Sequence, residues 1–140
     1  MVIRLVTICL TLAMALAPLT RAAGEQEYPS IVLPTKYPAA FRSWQKLVPD
    51  NIRQFTWLSV FHGVESPMET LDKGSQPFFL GHVCKPHDCA NNGVAFLIAE
   101  DGSEAYGLVR SAEASGGMDL FLGDPDEEVK KILLETFGDE

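Results

Sequence analysis

The chain has 140 residues, with 11 basic against 19 acidic side chains and a formal net charge of −8 at pH 7. That acidity argues against nucleic acid or an anionic membrane surface as partner and suits a basic protein. The length and a hydrophobic fraction of 46% fit one globular domain around one core.

Met1 to Arg4 supply a positive start, and Leu5 to Leu16 are apolar except for Thr7 and Thr11. Pro18, then Thr20-Arg21-Ala22 and Ala23-Gly24, follow. This order predicts a secretory signal peptide over 1–22, cleaved after Ala22. Its apolar run of about a dozen residues is short of the roughly 20 that a membrane span needs. Cleavage would remove Arg4 and Arg21 and no acid, leaving 9 basic against 19 acidic residues and a net charge of about −10. Cys9 would leave as well, so the mature chain of about 118 residues would keep only Cys84 and Cys89. An even pair in an oxidising compartment is most simply a disulfide.

Residues 23–36 carry Glu25, Glu27, Pro29 and Pro34 with no sustained period, and read as an extended leader to a domain over 37–140. Pro38 suits a first helical turn, after which Phe41, Trp44, Leu47 and Val48 fall on one helical face. Pro49-Asp50-Asn51 ends that helix. Trp57, Leu58 and Val60 among Thr56 and Ser59 predict a strand over 55–61, and further strands over 78–84 and 93–99 flank the cysteines. Asp101-Gly102 signals a hairpin turn into a strand over 105–110, and a short strand covers 118–122.

A closing helix is capped by Asp124, with Pro125 at its first position and Glu127 completing a capping box. Val129, Ile132, Leu133 and Phe137 form its apolar stripe, Glu127 and Lys131 an i,i+4 pair, and Gly138 its terminator. The predicted class is α+β: a single domain with an about five-stranded antiparallel sheet and amphipathic helices packed on one face. Trp44, Phe55, Trp57, Phe78, Phe79, Phe96 and Phe121 read as core.

The most informative segment is Cys84-Lys85-Pro86-His87-Asp88-Cys89. Pro86 and a disulfide would both narrow its conformations, and a stiff loop loses less entropy on binding. Closing so short a loop contributes only ~2 kcal/mol to global stability. His87, near the tip, can donate and accept hydrogen bonds near neutral pH, with Asp88 placed to orient the ring and Lys85 to meet a carboxylate. An ordinary disulfide-linked turn with a solvated histidine fits the same residues.

Other chemistry finds less support. Cys84, His87, Cys89 and His82 lie close together, but without the Cys-x2-Cys or His-x3-His spacing of structural zinc. Redox chemistry would want Cys-x-x-Cys beside a helix start. His62 and Ser66 have no specific spacing as base and nucleophile, and Asp101 with Glu104 lies in a turn. Asp124, Asp126, Glu127 and Glu128 suit a helix N-terminus. No catalytic residue, cofactor or metal ligand is assigned, so a small enzyme and a metal-binding protein stand only as alternatives.

The segment Cys84 to Cys89 matches the CKPHDC signature of the inhibitor of vertebrate lysozyme (Ivy) family. Ala39-Ala40-Phe41 resembles the family's AAF, Gly107-Leu108 its GL, and Trp57 falls at its first-strand tryptophan, so the resemblance covers roughly 37–137. It implies a periplasmic, non-enzymatic inhibitor of c-type lysozyme from a Gram-negative bacterium, acting in defence against a host. Its fold would be a central antiparallel sheet with helices on one side, and some members are homodimers. The resemblance also implies that His87 enters the lysozyme cleft and bonds its two catalytic carboxylates. Cys84 and Cys89 would close the loop, with Lys85 and Asp88 as flanking contacts. The resemblance also implies the cell's own lytic transglycosylases as the alternative target, and a small peptidoglycan-modifying enzyme as the alternative of a different class.

Overall fold

The computed structural model describes residues 26–138, so the signal peptide expected over 1–22 lies outside the described residues. In chain order the described elements are α1 (Pro29–Lys36), α2 (Pro38–Leu47), α3 (Thr56–Ser59), β1 (Val64–Glu65) and β2 (Glu69–Lys73). They continue with β3 (Gln76–Cys84), β4 (Asn92–Ala99), β5 (Ala105–Ser111), β6 (Asp119–Leu122) and α4 (Glu127–Thr136). The α+β class is as expected. Among the described residues the sheet has six strands rather than about five.

The antiparallel order runs β3-β4-β5-β6, and the outer edge of β3 is shared by β1 near Cys84 and β2 near Gln76. All eight residues of β4 are buried, so this central strand is covered on both faces. Val94, Phe96 and Ile98 pack with Leu33, Ala40, Trp44 and Leu58 from the first three helices. Ala95, Leu97 and Ala99 pack instead with Val129 and Leu133 of α4. Helices therefore cover both faces, where one was expected. A strand buried on both sides reads as an apolar run without alternation.

Two more expectations are corrected. The leader is not extended throughout, because Pro29 starts α1 and Val32 and Leu33 bury against the core. Glu65 of β1 closes the helix start, accepting from the Ser30 N–H at 2.8 Å and from its hydroxyl at 2.6 Å. That carboxylate opposes the positive end of the helix dipole from 35 positions away, so local pattern could not reveal it. The strand expected over 55–61 is a turn of helix, in which Trp57, Leu58 and Ser59 are all buried and the Phe55 carbonyl accepts from both Leu58 and Ser59 N–H. Consecutive buried positions leave no alternation, and packing overrides the β-preference of the residues.

Phe61 ends this turn at φ 63°, a conformation unfavourable for a bulky residue. Its ring is held between Trp44, at 5.3 Å, and Phe96, at 4.7 Å. Trp44 is anchored in turn by its indole N–H, which donates to the Leu58 carbonyl at 3.0 Å. Truncating such a fully buried ring costs about 3–5 kcal/mol. Gly107 and Gly81 make room for the cluster, since a Cβ would come within 2.9 Å of the Trp44 ring and 2.4 Å of the Phe96 ring.

In α4 the cap is Asp126 rather than Asp124, its carboxylate accepting from the Val129 N–H at 2.8 Å. Glu127 pairs with Lys130, and Lys131 with Glu135, in place of the Glu127–Lys131 pair. Asp101-Gly102 makes the β4–β5 turn as expected, with Gly102 at φ 75°. These connections leave residues 85–91 and 112–118 at one end of the sheet, past Cys84, Ser111 and the starts of β4 and β6.

Candidate functional site

The six-residue segment is a closed loop, with Cys84 and Cys89 joined by a disulfide. Cys84 is buried at the end of β3, and Cys89 is exposed. Inside the loop, the Asp88 N–H donates to the Lys85 carbonyl at 3.1 Å, closing a four-residue turn. Pro86 takes its second position and His87 its third, with φ 66°. This is the φ pattern of a type II turn, whose third position normally belongs to glycine. Here a histidine holds that position, exposed at the tip.

The two neighbours of the turn face inward. Asp88 does not orient the imidazole, because its carboxylate accepts from the Asn91 side-chain amide at 2.7 Å and from that of Asn92 at 2.8 Å. Lys85 meets a carboxylate within the chain, donating to Glu113 Oε2 at 2.6 Å. The other oxygen of Glu113 accepts from the Trp57 indole N–H at 3.0 Å. The Lys85 ammonium, and after it the Trp57 indole, hold the Glu113 carboxyl below the usual carboxylate range.

Beneath the loop, Asn92 is 2% exposed and fully bonded. Its side-chain carbonyl accepts from the Ser111 hydroxyl at 2.5 Å and from the Glu113 N–H at 3.3 Å. A polar chain thus runs from Asp88 through Asn92 to the β5–β6 connection and back through Glu113 to Lys85. Because every buried member is bonded, it orders the loop without leaving a desolvated group.

The other sequence candidates are dispersed. The two thiols are consumed by the disulfide, and His82 lies edge-on to Phe137 at 5.0 Å, where burial lowers its pKa. Ser66 follows β1 with its N–H on the His82 carbonyl, and His62 follows Phe61 at the end of α3. Among the described residues, no three His, Cys, Asp or Glu side chains gather as a metal site. Sequence reasoning missed Glu113, Asn92 and Ser111. The available signal was that Glu113 is the single charged residue between Ser111 and Met118.

A family model described as inhibitor of vertebrate lysozyme (Ivy) matches residues 39–120, from α2 into β6. The chain belongs to the Ivy family. An inhibitor of vertebrate lysozyme from Pseudomonas aeruginosa is 28% identical over 123 residues, covering 81% of this chain and 80% of its own. An uncharacterized protein of Yersinia pestis is 30% identical over 99 residues, covering 64% of each chain. The Ivy match contains Ala39-Ala40-Phe41, Trp57, the disulfide loop and Gly107-Leu108. Several of these positions have packing reasons in this Ivy domain. Ala40 is fully buried and Gly107 admits the Trp44 ring, while Trp57 stands on α3 rather than on a strand and fixes Glu113.

Proposed function

We propose that this Ivy-family chain is an exported, periplasmic and non-enzymatic inhibitor of c-type lysozyme, acting by placing His87 in the enzyme's active-site cleft. The observation that carries it is His87 itself: an imidazole kept in a left-handed backbone conformation at the exposed tip of a closed loop. Non-glycine residues in such conformations concentrate at functional sites, where the strain is tolerated for what the side chain does. Lys85 and Asp88 are turned to partners within the chain, so His87 is left as the outward group. A retaining glycosidase cleft holds one protonated and one ionised carboxyl group a few ångströms apart. A neutral imidazole has one donor and one acceptor nitrogen and can answer both. The excess of 19 acidic over 11 basic residues favours encounter with a basic enzyme.

The test is inhibition of c-type lysozyme, goose-type lysozyme and a lytic transglycosylase by the mature protein and by His87→Ala. Inhibition of the c-type enzyme, weakened at least about 30-fold in His87→Ala, is expected of a central contact. Undiminished inhibition by His87→Ala would remove the mechanism. A wild type that spares c-type lysozyme but inhibits the transglycosylase would move the function to control of the cell's own muramidases.

A further inference from the structure

We propose that Glu113, on the β5–β6 connection and outside the disulfide loop, is a positioning residue for inhibition, holding the stem of the His87 loop through Lys85. This rests on the function proposed above. The disulfide joins the loop's two ends, but it does not fix the chain between them. Lys85, the first residue inside, is held by Glu113 Oε2 at 2.6 Å. The carboxylate is itself fixed from behind by Trp57, which is 4% exposed and cannot move without the core.

The backbone of the same connection supplies the other attachments. The Ala112 N–H donates to the Asn91 carbonyl at 2.9 Å, and the Glu113 N–H reaches Asn92 Oδ1. Asn92 in turn holds Asp88, on the far side of His87. His87 therefore sits between two residues that are each tied to groups outside the loop. Lys85 on this account serves the loop from within.

The side chains of Lys85 and Glu113 are 37% and 28% exposed, and an ion pair so open to solvent contributes little to global stability. Stability and loop order should therefore separate on substitution. In Glu113→Ala the inhibition constant against c-type lysozyme should rise about tenfold, the scale of re-ordering a loop on binding. The Asp88 amide of the free protein should exchange hydrogen about tenfold faster. Lys85→Met removes the same ion pair but leaves the Trp57 indole its partner, and should reproduce both effects while the thermal midpoint moves by no more than about 2 °C.

Adding Lys85→Met to Glu113→Ala should cost no further inhibition if the lysine acts through Glu113. Losses that add would place Lys85 on the target instead and overturn the assignment. Unchanged exchange and inhibition in both single variants would overturn it too. Exchange is read without lysozyme, so it judges the brace by itself. A failure of the function proposed above would show separately, in the wild type's lack of inhibition.

Discussion

Replacing His87 by glycine should make the protein more stable and leave it unable to inhibit. At φ 66° an L-residue carries a penalty of roughly 1–2 kcal/mol that glycine does not. Glycine gives back about 0.5–1 kcal/mol through the greater freedom of its unfolded chain. From the middle of each range the net gain is about 0.7 kcal/mol, or a rise of about 3–5 °C in thermal midpoint for a domain of this size. Little opposes this gain, because the side chain is exposed and the turn is held by Asp88 N–H on the Lys85 carbonyl, which glycine retains. Differential scanning fluorimetry gives the midpoint, and turbidity clearing of a lysozyme substrate gives the inhibition. His87→Ala is the control, losing inhibition without the stability gain because alanine keeps the backbone penalty. A lower midpoint in His87→Gly would mean that the imidazole holds the loop, and the inference from strain to function would fail.

The double variant Cys84→Ser with Cys89→Ser should lose ~2 kcal/mol of stability and inhibit more weakly, while far-UV circular dichroism stays that of a folded protein. Outright unfolding would make the bond structural and remove its role as a stiffener. Burial lowers the pKa of His82 from its ordinary 6.5, so the folded state favours the neutral ring. The unfolded state then takes up the proton first. This contribution to stability is whole above about 6.5 and declines as pH falls from there towards the lower folded value. Thermal midpoints at pH values either side of that window should fall less in His82→Gln than in wild type, and equal slopes would refute the assignment. Raising salt shortens the screening length from ~10 Å at 0.1 M to ~3 Å at 1 M, and should slow association with lysozyme more than dissociation. An on-rate indifferent to salt would remove electrostatic steering.

What the sequence determined by itself is what neighbouring residues decide. The strands around the disulfide loop, the Asp101-Gly102 turn and the amphipathic α2 and α4 all depend on spacing within a few positions, and each stands close to where it was read. The loop was legible for the same reason: its proline, its histidine and both cysteines lie in six consecutive residues.

Tertiary structure decided whatever depends on distant partners. Residues 29–36, without a sustained period, read as part of an extended leader until Glu65 is found closing the start of α1. Residues 55–61 look like a strand until Trp44 and Phe96 enclose Phe61. The placement of α4 on the second face follows from a central strand buried on both sides, which a continuous apolar run cannot distinguish from other buried segments. At the site the division is equally clear. Resemblance to the family signature singled out His87, but only the fold brought Glu113 to Lys85 across 28 positions and turned Asp88 towards Asn91 and Asn92. A hydrogen bond needs its partner within about 3 Å, and chain distance carries no record of which residues will meet.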